Sequence, residues 1–238
     1  MNNFFRLLKG EFLRLVKYRI VLFGLIVSAI WVLILALSAK AEAEMLFPYL
    51  VTMDTGMMSI VLLGASYYFE RQEGTLKTLL VAPVTVTEVL AAKVFAAILT
   101  GILSSVVIML AGWIVHGMTV NVLGILFYTI LAVFAHTALG FVLALASKDF
   151  MSFLLRYMGL VILFVVPMFL VPLGLLEGGW RYLGMLSPMY ATEVLIGSLF
   201  ETAETAELVV SAVWLFVLGG TVYPFIVYRR FRAKAIEG

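Results

Sequence analysis

Residues 70–93 read ERQEGTLKTLLVAPVTVTEVLAAK, a polar stretch that interrupts an otherwise almost continuous series of hydrophobic runs. A helix that begins near Glu73 must end at Pro83, because proline lacks the N–H group and has a fixed φ. This predicts a short helix of about two turns. Thr85 and Glu88 have the spacing of a capping box, which predicts the start of the next helix. The stretch therefore predicts a small polar helix between two long hydrophobic ones.

The composition indicates that the chain lies in a lipid bilayer. Of the 238 residues, 64% are hydrophobic and 13% are charged, and the mean hydropathy is +1.13. A single soluble domain of this length could not bury so much apolar surface. The formal net charge of +2 is too small to indicate a nucleic-acid partner. The sequence has no cysteine, which excludes a disulfide framework and a cysteine-based metal site.

Six hydrophobic runs are long enough to cross the membrane, since about 20 apolar residues in a helix span a hydrocarbon core of ~30 Å. The predicted spans are residues 20–39, 47–69, 89–115, 121–147, 153–176 and 208–228. Residues 1–18 predict an amphipathic helix in the membrane interface, because their apolar side chains fall within an arc of about 120°. The sequence thus predicts an all-α membrane protein in which residues 1–238 form a single domain.

The connection between the fifth and sixth spans is longer than the others. Pro167 and Pro172 lie in the second half of the fifth span and predict a kinked or broken helix there. Beyond them, residues 190–200 are apolar but too few to cross the bilayer. We expect this segment to form a short helix or a re-entrant hairpin that enters the outer leaflet.

The distribution of basic residues predicts the orientation of the chain. Six spans place both termini on the same side. A cytoplasmic N-terminus puts fourteen of the 16 lysines and arginines inside and leaves only Lys40 and Arg181 outside. Cytoplasmic loops of membrane proteins are enriched in positive charge. Both termini and the polar stretch 70–93 are therefore predicted to be cytoplasmic.

Several residues of the polar stretch form a pattern at fixed spacing between the second and third spans. They are Glu70-Arg71-Gln72-Glu73-Gly74-Thr75-Leu76, Leu79-Leu80, Pro83-Val84 and Lys93. Together they resemble the cytoplasmic segment of ABC-2 type transporter permeases. The amphipathic start is similar to the elbow helix of that family, and residues 186–190 add a weaker similarity. Ala92 departs from the family pattern, in which a glycine often precedes the lysine, but alanine fits a helix well.

The resemblance implies that the polar segment is a coupling helix, which docks into a cleft on a separate ATP-hydrolysing subunit. Six helices would form half of a transport pathway, so a second copy of the permease or a related subunit is implied as well. The resemblance further implies export across a bacterial or archaeal inner membrane, here of a hydrophobic or amphipathic compound such as a drug, a lipid or a peptide. The residues implied to meet the ATPase subunit are Glu70, Arg71, Gln72, Glu73, Gly74, Thr75, Lys77 and Thr78.

The sequence contains no phosphate-binding loop of the form G-x-x-x-x-G-K-[ST], and Lys77 and Thr78 follow Leu76 rather than the required glycine. We therefore expect no ATPase site and no cofactor in this chain, with ATP and Mg²⁺ bound by the partner ATPase subunit. A passive channel or a secondary transporter is the alternative. Secondary transporters are expected to show internal repeats and helices broken at mid-depth. The sequence shows no repeat, and only the fifth span fits this description.

Asp54 and His136 lie deep inside predicted spans, where an ionisable group is costly and by default suggests function. Asp54 either lines the pathway, pairs between subunits, or sits protonated or near the outer interface. A protease dyad is disfavoured because the only other aspartate, Asp149, is predicted at the opposite membrane face. His136 either binds substrate, relays protons, or is a neutral imidazole bonded to a neighbouring helix. The only other histidine, His116, is a membrane leaflet away, so no metal site is predicted.

Overall fold

A computed structural model of the protein describes residues 3–75, 82–175 and 178–237. All of the regular structure in these ranges is helical, and six of the helices are long and apolar enough to span a membrane. The all-α class and the number of spans predicted from the sequence are confirmed. The helices are α1 Asn3–Lys17, α2 Ile20–Leu37, α3 Lys40–Gln72, α4 Val86–His116, α5 Val122–Ala146, α6 Phe150–Leu170, α7 Trp180–Gly184, α8 Pro188–Gly197 and α9 Thr205–Val222, and a π-helical turn, Tyr223–Val227, joins α9 to α10, Tyr228–Glu237.

The predicted capping box at the start of α4 is confirmed. The Glu88 N–H donates to Thr85 Oγ1 at 3.2 Å, and the Thr85 N–H donates to Glu88 Oε2 at 2.8 Å. These two bonds satisfy N–H groups that have no partner within the first turn of a helix. The helix of the third span therefore begins at Val86, within the polar stretch and directly after Thr85.

Helices α3 and α6 differ in length from the predicted spans 47–69 and 153–176. Helix α3 begins at Lys40 and includes the polar residues before Phe47, because Glu42 accepts a hydrogen bond from the Ala39 N–H at 3.1 Å and caps the first turn. Helix α6 runs through Pro167 and ends at Leu170, short of the predicted residue 176. Pro172 has no N–H group with which to continue the helical hydrogen bonding.

Helix α8 is the short helix of the connection between the fifth and sixth spans. Ser187 caps it by accepting a hydrogen bond from the Tyr190 N–H at 3.3 Å, and Pro188 occupies the first helical position, where its missing N–H costs nothing. Ala191 and Leu195 are buried against side chains of α5 and α9. The helix thus closes one end of the bundle, and its entry into a membrane leaflet stays a prediction.

Helices α3 and α5 form the centre of the bundle and approach each other closely at Gly140. A β-carbon at this position would lie 3.2 Å from the Cα and the carbonyl oxygen of Ile60. These are backbone atoms of α3, which cannot rotate away as a side chain can. Small residues allow such close helix contacts in membrane proteins.

We therefore expect Gly140→Val to destabilise the folded protein by about 1–3 kcal/mol, the usual cost of overpacking. Gly159→Val, in α6, is the matched control because a β-carbon there meets no atom within 4 Å. Its effect should stay within about 0.5 kcal/mol. Thermal unfolding of the two purified variants in detergent measures the difference, and equal melting temperatures would contradict the proposed contact between α3 and α5.

Candidate functional site

A buried cluster of charged side chains lies where the polar stretch leaves the helix bundle. Lys93 of α4 donates hydrogen bonds to Glu11 Oε2 of α1, at 3.0 Å, and to Glu70 Oε1 near the end of α3. Lys93, Glu11 and Glu70 are 4%, 1% and 0% exposed. Arg14 adds a second cation, with Nη2 2.5 Å from Glu11 Oε1 and Nη1 4.0 Å from Glu70 Oε1. Two carboxylates and two cations therefore join α1, α3 and α4, and we call these four residues the charge cluster.

The charge cluster is stable only as a complete set. Moving a charged group out of water costs several kcal/mol, which the attraction between partners offsets only when the geometry is good. Burial raises the pKa of Glu11 above its usual range, while the nearby Lys93 ammonium acts in the opposite direction. The cluster consequently fixes how three helices meet and adds little surplus stability.

Sequence reasoning missed Glu11, although the sequence carries a signal for it. Glu11 is the only acidic residue among residues 1–41. On a helical projection at 100° per residue it falls at the edge of the apolar arc of α1, beside Phe4 and Leu15. An acid in that position is buried when the helix packs and then needs a cation. Lys93 was identified only through the family resemblance, with no partner assigned.

Glu73 directly follows α3, and its carboxylate is held by residues at the end of α1. Tyr18 Oη donates to one oxygen, and Lys17 Nζ donates to the other at 3.2 Å. The hydrogen bond from Tyr18, and to a smaller extent the one from Lys17, lowers the pKa of Glu73. Burial, and then the hydrogen bond to Glu73, raises the pKa of Tyr18 to about 12. The Tyr18 ring stacks on Phe69, with centroids 5.0 Å apart. The Glu73 side chain remains 40% exposed, so a second protein can reach it.

Three of the predicted coupling residues, Glu70, Arg71 and Gln72, precede Glu73 and differ in their surroundings. Arg71 Nη1 donates to the carbonyl oxygen of Lys148 at 2.9 Å and so connects the end of α3 to the loop between α5 and α6. Gln72 is exposed. Glu70 is enclosed in the charge cluster, so in this conformation its carboxylate contacts Lys93 and is out of reach of another subunit.

The helix ends just before the remaining predicted coupling residues. Gly74 has a φ of 71°, in the left-handed region that glycine adopts at the ends of helices. Thr75 Oγ1 donates to the carbonyl oxygen of Glu70 at 3.1 Å and closes this turn. Lys77 and Thr78 lie outside the described residues. The contact of all these residues with an ATPase subunit stays a prediction.

Asp54 of α3 and His136 of α5 are buried between helices. Asp54 Oδ1 accepts a hydrogen bond from Ser28 Oγ of α2 at 3.0 Å. The His136 ring bonds through Nδ1 to the carbonyl oxygen of Ala132 at 2.8 Å, and its Nε2 faces Gly56 of α3. Neither residue lines the cavity between α3, α8 and α9 or the groove between α4, α5 and α9. Their contacts are those of helix packing, and a role in transport stays a prediction for both.

A cavity of about 520 Å³ opens at the opposite end of the bundle, between α3, α8 and the start of α9. Its wall includes Glu44, Glu193, Glu201, Glu207 and Arg181. Arg181 Nη2 donates to Glu207 Oε2 at 2.8 Å and ties α7 to α9. Burial raises the pKa of Glu193 to about 7, and the negative charge of Glu201 adds to this effect. We call this space the acidic cavity.

The stability of the fold should depend on pH through Glu193. Its folded-state pKa of about 7 exceeds the ordinary value of 4.5, so the folded state binds this proton more tightly than the unfolded state does. Stability should therefore fall as pH rises from about 5 to 8, by up to about 3 kcal/mol, and this fall should be largely absent in Glu193→Gln. Thermal unfolding across that range measures it, with Glu44→Gln as the control, because Glu44 lies in the wall of the same cavity but is exposed. Identical pH slopes in the wild type and Glu193→Gln would refute the prediction.

The fold and the charge cluster define a helical membrane protein with six spans and a polar segment between the second and third. A profile of the ABC-2 type transporter family matches residues 2–200, and the chain belongs to this family. The resemblance found in the polar stretch is thereby confirmed. Membership makes the chain a permease subunit of an ABC transporter, which associates with ABC ATPase subunits in a membrane. A comparison with curated proteins gave no significant match.

Proposed function

We propose that this permease subunit belongs to an ATP-driven exporter and that residues 70–81 receive the movement of a separate ATPase subunit. The observation that carries the proposal is the charge cluster directly behind this segment. Helix α3 ends and helix α4 begins on either side of the segment, and Lys93 ties both of them to α1. A displacement of the segment would thus move three helices together.

The exposed side of the same region offers the contacts that a partner needs. Glu73 presents a carboxylate whose pKa is low, so it is charged at neutral pH. A carboxylate of this kind forms strong hydrogen bonds with cationic donors on a second protein. Tyr18 and Lys17 hold it in place, which reduces the side-chain entropy lost on binding.

The remaining features of the proposal rest on the distribution of charge, on exposure and on the family resemblance. Both termini and residues 70–93 are assigned to the cytoplasm by the strong bias in lysine and arginine. Helices α2 and α6 have few buried residues, which leaves room for a second permease copy or a related permease against them.

The ATPase subunit would bind ATP and Mg²⁺, and the exported compound would be hydrophobic or amphipathic. A bacterial or archaeal inner membrane is the proposed location.

Purification of the tagged chain from its native membrane tests the proposal. We expect an ATPase subunit to be recovered with it and to be identified by mass spectrometry of the complex. The complex, reconstituted in vesicles, should move its substrate only when ATP and Mg²⁺ are supplied. Transport at an unchanged rate without nucleotide would instead support a passive channel or a secondary transporter.

A further inference from the structure

We propose that an apolar groove beside the π-helical turn binds one acyl chain of an anionic phospholipid, in the leaflet nearer the termini. The groove has a volume of about 530 Å³ and lies between α4, α5 and the last span. This lipid site is separate from the acidic cavity and from the residues of the proposed coupling segment. Its wall includes Leu90, Val94, Ile98, Phe134, Tyr223 and Pro224.

The groove is a consequence of the backbone at the end of α9. Pro224 has no N–H group, and the chain accommodates it with a π-helical turn over Tyr223–Val227. Tyr223 Oη is fixed by a hydrogen bond of 2.8 Å with Thr137 Oγ1 of α5. Gly220 adds open space, because a β-carbon at this position would meet no atom within 4 Å. The groove is therefore built into the fold and does not depend on the rotamer of one surface side chain.

The size of the groove favours a single flexible chain. Ligand cavities range over roughly 300–1,000 Å³, and the groove lies within this range. A helix about 10 Å across fills roughly 400 Å³ per turn, so a second copy of this chain could insert little more than one turn. An acyl chain from the surrounding bilayer is narrow enough to fill the groove along its length.

The charge at one end of the groove favours an anionic headgroup. Tyr228 lines this end, and Arg232 follows four residues later on the same face of α10. Helical side chains lean toward the N-terminus of their helix, which here is toward the groove. Arg232 is exposed and forms no ion pair within the described part of the chain, and a guanidinium can bind a phosphate through two parallel hydrogen bonds. The acid at the start of α4, Glu88, is occupied by its hydrogen bonds with Thr85.

Native mass spectrometry of the detergent-purified chain, titrated with dioleoyl phosphatidylglycerol or dioleoyl phosphatidylcholine, tests the site. We expect at least about fivefold tighter binding of the anionic lipid, from the electrostatic contribution of one basic residue near a membrane surface. Gly220→Leu should abolish this preferential binding because the added side chain fills the groove. Gly159→Leu is the matched control, since its position in α6 is equally open but lies outside the groove.

The headgroup contact is tested separately. Arg232→Gln should weaken binding of the anionic lipid about fivefold, whereas Arg230→Gln, on the opposite face of α10, should leave it unchanged. Equal affinity for the two lipids, or unchanged lipid binding in Gly220→Leu, would overturn the proposal. If Gly220→Leu instead abolished a dimer and left lipid binding intact, the groove would be an interface between copies and the proposal would also be overturned.

Discussion

Lys93→Met is expected to lower the free energy of unfolding by about 3–5 kcal/mol, the usual effect of removing one partner from a buried ion pair. The substitution leaves the carboxylates of Glu11 and Glu70 buried with only Arg14, at the edge of the charge cluster, to offset them. Thermal unfolding of the purified chain in detergent, followed by circular dichroism, measures the loss. Lys17→Met is the matched control, because the Lys17 side chain is 67% exposed and exposed ion pairs add little to stability.

A triple variant separates the charge effect from loss of packing. Glu11→Gln, Glu70→Gln and Lys93→Met together remove the buried charges and should recover most of the stability, as replacement of whole buried ion pairs commonly does. The assembled complex with this variant should fold but transport less substrate per ATP hydrolysed, because the charges no longer tie α1 to α3 and α4. A Lys93→Met protein as stable as the wild type would show that the charge cluster does not hold these helices.

Glu73→Lys should abolish the stimulation of ATP hydrolysis by substrate and weaken binding of the ATPase subunit at least about tenfold. The new ammonium would face the cationic donors proposed on the partner, and like charges in contact across an interface cost several kcal/mol. ATP hydrolysis by the reconstituted complex, with and without substrate, measures the first effect. Pull-down titration of the ATPase subunit measures the second.

Two further variants make this result specific to the Glu73 carboxylate. Tyr18→Phe removes the hydrogen bond to Glu73 but keeps its charge, so stimulation should persist. Glu44→Lys makes the same reversal at an exposed position at the opposite end of α3, and it should leave ATP hydrolysis unchanged. Reversal of Glu70 would be a poor test, because its buried carboxylate holds Lys93. Full stimulation in Glu73→Lys would remove Glu73 from the coupling surface.

The sequence predicted those features that local chemistry determines. Long apolar runs without charge must be helical in a bilayer, which explains the six spans, and the spacing of Thr85 and Glu88 was sufficient to locate the start of α4. The charge cluster was not predictable in this way. Glu11 and Lys93 are 82 residues apart in the chain, so their contact depends on how α1 packs against α4.

The groove shows a second limit of sequence reasoning. Pro224 lies inside a predicted span, but the sequence does not reveal whether a proline there kinks, ends or widens the helix. The effect of Pro224 on the helix depends on how the last span packs against neighbouring helices. Here Tyr223, the residue before it, forms a hydrogen bond with Thr137 of α5. In the fifth span, the sequence likewise predicted a kink or a break at Pro167 and Pro172 but not that the helix ends at Leu170.

The distance in sequence between Glu11 and Lys93 has a consequence for biosynthesis. Helix α1 leaves the ribosome before α4, and the ammonium that neutralises the Glu11 carboxylate is made only with the third span. Until then Glu11 must stay hydrated, because an isolated carboxylate is excluded from the bilayer by its desolvation cost. Insertion of the first two spans can therefore precede docking of α1, which is synthesised before α4 but reaches its final place after it.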